Sequence, residues 1–112
     1  MTESIENEII KRLKEIHPYK VILFGSYAYG NSNNDSDIDL YVVTKHDFIP
    51  QNYRENMDHY LEVSRILRDI KKNYSMDLIV HTLGMHKKFI ELQSSFSREI
   101  LTKGRVLYEA DN

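Results

Sequence analysis

Gly25-Ser26, ten residues, then Asp37-Ile38-Asp39 is the part of this chain best suited to chemistry. An Asp-x-Asp alone arises by chance roughly 0.6 times in a chain with this many aspartates, whereas a Gly-Ser pair at one fixed offset lowers that to roughly 0.002, so the joint pattern carries weight. Residues two apart on a strand share a face, so Asp37 and Asp39 can ligate one ion or ion pair while Ile38 and Leu40 turn to the core. Asp77, in Met76-Asp77-Leu78-Ile79-Val80, can supply a third carboxylate. Three converging carboxylates repel one another unless cations neutralise them. Oxygen-only ligands suit Mg²⁺, with Mn²⁺ as the alternative. Two such ions about 3.5–4 Å apart can activate an attacking oxygen and stabilise a departing pyrophosphate. Gly25 lets the chain turn tightly and lets phosphate approach the backbone. Ser26 can clamp a β- or γ-phosphate through its N–H and hydroxyl. No base is visible nearby that would make it a nucleophile. Tyr27 and Tyr29 can stack on a base or flank the phosphates.

Each of these residues also has a plainer reading. Asp35, Asp37 and Asp39 can be a solvated loop running into a strand edge, and Asp77 can simply terminate strand pairing. Ser26 can be an ordinary turn residue, and one of the two tyrosines can pack while the other stays exposed. The joint spacing favours the metal-and-phosphate reading over these. The five histidines, at 17, 46, 59, 81 and 86, show no metal-binding spacing and read as surface or core residues. Lys71-Lys72 and Lys87-Lys88 read as solvated helix ends or faces. Arg98, Lys103 and Arg105 are cations within reach of a partner.

The surrounding sequence supplies elements that can position the motif. Ile5, Ile9, Ile10, Leu13 and Ile16 recur at helical spacing, so residues 3–16 read as an amphipathic helix, with Thr2 as N-cap and Pro18 as stop. Tyr19–Phe24 reads as a first strand, Gly25–Ser36 as a polar loop with one helical turn near Tyr27–Tyr29, and Ile38–Val43 as a second strand. Asn52-x-x-Glu55 resembles a capping box. It opens a helix predicted to bury Met57, Tyr60, Leu61, Ser64, Leu67 and Tyr74. Met76–Val80 reads as a third strand. Residues 86–104 read as helix, broken near Ser94-Ser95, with Phe89, Leu92, Phe96, Ile100 and Leu101 inward and Gly104 as a C-terminal stop. Val106–Tyr108 is a short apolar finish.

The chemistry also predicts strand directions. Gly25-Ser26 ends the first strand and the aspartates begin the second. If both reach one site, these two strands are antiparallel. The third strand follows a helix of about 20 residues, the length a parallel crossover needs. Asp77 then returns to the same edge. The fold class expected is α/β (α+β): a small mixed sheet flanked by helices.

Whole-chain properties narrow the function. At 112 residues the chain reads as one domain, 1–112, and its 41% hydrophobic content can fill one core. A net charge of −2 disfavours a long nucleic-acid partner. The absence of cysteine excludes disulfides and thiolate chemistry. No apolar run approaches the ~18 residues of a membrane span, and the acidic start lacks a signal-peptide n-region. A cytoplasmic protein is the expectation.

The run Phe24-Gly25-Ser26-Tyr27-Ala28-Tyr29-Gly30, then Ser36-Asp37-Ile38-Asp39-Leu40 with a later Asp77, resembles the DNA polymerase β-type nucleotidyltransferase superfamily. The size resembles its minimal branch, the MNT proteins, as does the ending Phe96-Ser97-Arg98-Glu99-Ile100-Leu101 through Gly104-Arg105-Val106-Leu107-Tyr108. The resemblance implies a polymerase β-like core. It makes Asp37, Asp39 and Asp77 the catalytic, metal-binding aspartates, the first two binding both metals and the third helping to activate the acceptor hydroxyl. It also implies that Gly25, Ser26, Tyr27 and Ser36 bind the nucleotide. The expected cofactor is two Mg²⁺ ions, with ATP as substrate. The expected partner is a helical HEPN-type toxin, which such an antitoxin modifies with AMP on a tyrosine; self-association is open to the chain when alone. Tyr29 departs from the pattern, where relatives often carry Arg or Lys. Two rivals stand beside this reading: an antitoxin that masks the toxin without catalysis, and a small-molecule nucleotidyltransferase, which the lack of a substrate domain disfavours.

Overall fold

The computed structural model of the chain describes residues 3–33 and 35–110. The element order is α1 (Glu3–Leu13), β1 (Lys20–Phe24), α2 (Ser26–Tyr29), β2 (Ile38–Val43), α3 (Tyr53–Ile66), α4 (Arg68–Lys71), β3 (Met76–His81), α5 (Leu83–Leu92), α6 (Ser95–Lys103) and β4 (Arg105–Glu109). The predicted first helix tightens into a 3₁₀ turn over Lys14–Ile16. Its proposed cap, Thr2, lies outside the described residues.

The sheet order is β3-β2-β1-β4. β1 runs antiparallel to β2, and β2 parallel to β3. Both directions are those the shared-site argument requires. β4 pairs antiparallel with β1; the apolar finish is therefore a fourth strand. Its short, half-exposed sequence carried little alternation to reveal it.

Side-chain alternation divides the core between the two faces of the sheet. Val21 and Leu23 of β1, Ile38, Leu40 and Val42 of β2, and Leu78 and Val80 of β3 pack against Ile9 and Leu13 of α1 and Val63, Leu67 and Ile70 beyond. Ile22, Phe24, Tyr41 and Val43 face the other way, toward Ile100 of α6 and Phe89 of α5. Helices thus cover both faces. Arg105 of β4 forms a two-point ion pair with Glu6 of α1, its second bond 2.7 Å long, and is thereby engaged within the chain.

Two helix readings need correction. In α3 the fully buried positions are His59 and Val63, continued by Leu67 and Ile70; of the residues read as inward, Leu67 is fully buried, Tyr60 and Tyr74 pack half-buried against the same core, and Met57 and Leu61 are only half-buried. The helix stops at Ile66 and restarts as α4, and Tyr74 lies beyond both. A buried histidine on the inward stripe disguised that stripe's position. The Asn52 side chain does accept from Glu55 N at 2.9 Å, but the Glu55 carboxylate reaches back to Gln51 N at 2.7 Å. In the last helical stretch, Leu92 is 75% exposed, and Phe96 and Leu101 are also exposed. Gln93 adopts a left-handed conformation and Ser94 starts a new N-cap, so α5 and α6 do not share one apolar stripe. Gly104 ends α6 in an extended, not left-handed, conformation. Glycine is needed because a Cβ would strike the Ile100 carbonyl and the Ile22 side chain.

Candidate active site

The turn after β1 is built from Gly25. Its φ of 73° and ψ of −161° lie where only glycine is comfortable. A side chain there would also run into the Asp39 carboxylate. Ser26 then heads the four-residue helix α2, whose Ala28 and Tyr29 N–H groups both donate to the Gly25 carbonyl, at 3.0 and 3.1 Å. The leading N–H groups of a helical turn have no partner within it. They and the Ser26 hydroxyl stand next to the strand end. Gly30, at φ 82°, closes α2. Beyond it, Asn33 N donates to Ser36 Oγ at 2.9 Å and Asp35 N to Asn33 Oδ1 at 2.8 Å, so the polar loop closes on itself.

Strand register gathers the carboxylates. Phe24 pairs with Asp39, and Asp39 pairs with Asp77 across the parallel β2–β3 ladder. Asp37 stands immediately ahead of β2 with the same parity as Asp39. Both share the face of Phe24 and Tyr41. Asp37 and Asp77 are exposed, and Asp39 is half-buried. Burial, then the charges of Asp77 and Asp37, push the Asp39 carboxyl up to about 6. Burial is the larger cause of this shift, and the like charges of the two neighbouring carboxylates add to it. Among the described residues no three acidic or histidine side chains stand together as a ready metal cage. The donor set is nonetheless all oxygen and short of positive charge, which fits Mg²⁺ or Mn²⁺.

Gly25, Ser26, Asp37, Asp39 and Asp77 therefore converge on one end of the sheet. Tyr27 and Ser36 line an adjoining cavity of about 430 Å³ with Asp37 and Tyr74; Gly25, Ser26, Asp39 and Asp77 do not line it. Tyr27 also packs on the core, and the Ser36 hydroxyl helps to close the loop. Tyr29 is 38% exposed. Its phenol is pushed up by burial, with Glu99 and Asp39 contributing. Phe96 sets its ring edge-to-face on Phe24, 5.8 Å between centroids. Glu99 and Phe96 reach the site from α6. The break read near Ser94-Ser95 is where α6 begins, and Phe96, read as inward, packs on Phe24 and Phe89; no sequence signal marks Glu99 there.

The family model described as "Polymerase beta, Nucleotidyltransferase" matches residues 7–112. A Methanocaldococcus jannaschii protein named "Putative protein adenylyltransferase MJ0604" is 35% identical over 89 residues, spanning 80% of this chain and 77% of that protein. Among solved structures, a toxin–antitoxin with AMP-PNP superposes with a TM-score of 0.62 at 22% identity, covering 95% of this chain and 74% of that one. The MNT antitoxin complex with tri-AMPylated Shewanella oneidensis HEPN toxin gives a TM-score of 0.57 at 22% identity, covering 98% and 74%. At that identity the structures establish the shared fold. The extent of the family match and the 35% identical relative establish more: this chain belongs to the polymerase beta nucleotidyltransferase family and is a nucleotidyltransferase.

Proposed function

We propose that this chain transfers AMP from ATP, with Mg²⁺, to a tyrosine hydroxyl of a HEPN-type toxin, and acts as its antitoxin. The observation that carries this reading is the register that sets Asp39 beside Asp77 at the Gly25 turn and lifts the Asp39 carboxyl to about 6. Asp37, Asp39 and Asp77 would hold the Mg²⁺ ions. When bound, these would neutralise the triphosphate and polarise the α-phosphate. Gly25 admits phosphate to the backbone, and Ser26 holds it with its hydroxyl and N–H. Tyr27 and Ser36 border the nucleotide from the adjoining cavity. Asp77 lies on β3, an edge strand, where an acceptor from a second protein can approach. There it takes the proton of the attacking hydroxyl. The new bond joins the acceptor oxygen to the α-phosphorus, and the bond to pyrophosphate breaks.

The choice of a protein acceptor is supported by the M. jannaschii relative's name, and the choice of a toxin by the fold neighbours. A masking antitoxin would use the same fold without chemistry. Protection assays separate the two. An Asp37→Asn/Asp39→Asn variant should still bind the toxin yet fail to protect cells from it. Protection equal to wild type at equal expression would leave masking as the function.

A further inference from the structure

The sheet has two free edges, and they are guarded differently. β4, at one edge, carries Arg105 and Glu109, ion-paired to Glu6 and Lys20. Its register with β1 shifts between Val21 and Ile22. Charge and irregularity of this kind keep an edge from pairing with another chain. β3, at the other edge, has neither guard. Met76-Asp77-Leu78-Ile79-Val80-His81 holds no lysine, arginine, proline or glycine, and its register with β2 is unbroken. Its one carboxylate, Asp77, belongs to the candidate active site.

The outer backbone of β3 is unpaired. The Ser75 and His81 carbonyls accept from the N–H groups of Ile38 and Thr44, both at 2.9 Å. In a parallel ladder the alternate residues Asp77, Ile79 and His81 then bond inward to β2. The N–H and C=O groups of Met76, Leu78 and Val80 point outward, with no backbone partner among the described residues. A groove follows this edge. A cavity of about 330 Å³ lies between residues 78–81, Met57 and Tyr60 of α3, and Met85 of α5. A second, of about 340 Å³, shares Asn56 and Met85 with the first and runs on to the 75%-exposed Tyr53. Flexible methionine side chains let such a wall adapt to what it receives.

We propose that β3 takes up an extended segment of the acceptor protein as a fifth strand. Main-chain hydrogen bonds to Met76, Leu78 and Val80 would hold the segment, and its side chains would seat in the groove beside Met57, Tyr60 and Met85. The inference rests on the protein acceptor proposed above. Residues paired across neighbouring strands share a face, with Cβ atoms about 4.5–5.5 Å apart. A tyrosine paired with Asp77 therefore carries its hydroxyl to the face where Asp77 and Asp39 stand together. The unguarded edge and the catalytic carboxylate thus lie on one strand. β3 itself has no hydroxyl side chain, so a second copy of the chain paired edge to edge brings no acceptor to Asp77.

The test is amide hydrogen exchange by NMR on the ¹⁵N-labelled chain, alone and with its HEPN toxin, together with transfer of label from α-³²P-ATP in the same mixture. In the chain alone, the Leu78 and Val80 amides should exchange much faster than those of Asp77 and Ile79. Toxin should slow Leu78 and Val80 by roughly tenfold or more, as closing an open backbone group does. Asn56→Trp and Met57→Lys, which obstruct the groove, should each raise the toxin concentration for half-maximal labelling roughly tenfold, the order of one substantial interface residue, with ATP affinity unchanged. Labelled toxin with unchanged exchange at Leu78 and Val80, or with both variants equal to wild type, would overturn the strand docking and leave the transfer standing. Slowed exchange without label would overturn the transfer and leave the docking standing. A toxin that changes neither overturns both. Slow exchange at Leu78 and Val80 in the chain alone, with the mass of a dimer, would give the edge to a second copy and overturn the proposal.

Discussion

Ser26 and Gly25 are neighbours with separable tasks. On the proposed function Ser26 offers one hydroxyl to phosphate, so Ser26→Ala should weaken ATP binding by roughly 10- to 150-fold, the range for one hydrogen bond to a charged group. Residual transfer should survive at saturating ATP; complete loss would mean the hydroxyl does more than clamp. Gly25→Ala is more damaging, because the added Cβ meets the Asp39 carboxylate in a backbone conformation that alanine resists. It should displace Asp39 and abolish ATP-dependent thermal stabilisation while leaving the circular dichroism spectrum near wild type. Asp39 shows the opposite tension. Its carboxyl is pushed up to about 6, so the ionised form opposes folding at neutral pH. Without divalent cation at pH 7.5, Asp39→Asn should raise the melting temperature by a few degrees, on the order of 1 kcal/mol once solvent screening is allowed for. An unchanged or lower melting temperature would show that the three charges do not oppose folding. These residues were legible in the sequence because glycine, serine and aspartate at fixed spacing have few structural reasons to occur together. Glu99 was not, because its place beside Tyr29 depends on how α6 packs.

At the scale of the elements, direct periodicity revealed β1, β2, β3 and α1, and the chemistry of a shared site predicted the strand directions. The elements misread were those with mixed faces. In α3 the inward stripe contains His59, whose side chain pairs with Thr44. On the opposite face, Tyr41 carries a similar polar insertion. Its hydroxyl meets His81 Nδ1 at 3.0 Å and His86 Nδ1 at 2.8 Å. One hydroxyl proton cannot serve both nitrogens, so one histidine accepts from Tyr41 while the other donates to it. Polar atoms inside an apolar layer erase the hydrophobic period that sequence reading relies on. They also make the core sensitive to pH. Burial lowers the pKa of His81 to about 4, and those of His86 and His59 fall below 6.5 as well. As pH falls below 6.5 the unfolded chain gains protons that the folded chain refuses. Stability present above about pH 6.5 should therefore be lost as pH falls toward 4. Melting curves of Asp39→Asn across that window would check this, because in the wild type protonation of the Asp39 carboxyl, raised to about 6, adds stability over the same range; a flat profile in the variant would contradict neutral, buried histidines.

The whole molecule is a sheet with helices on both faces. One end of that sheet carries the Gly25 turn and the three aspartates. No described helix is long and apolar enough to cross a membrane. The central claim is that three aspartates, brought together by strand register, make this chain a transferase of AMP to a protein hydroxyl. The measurement that tests it most directly is transfer of label from α-³²P-ATP to a co-purified HEPN toxin with Mg²⁺, by wild type and by Asp37→Asn, Asp39→Asn and Asp77→Asn. The account predicts labelled toxin and released pyrophosphate with wild type. It predicts no detectable label with any of the three variants, each folded and still bound to the toxin. Undiminished labelling by Asp39→Asn, or no labelling by the wild type with ATP, Mg²⁺ and bound toxin all present, would contradict it.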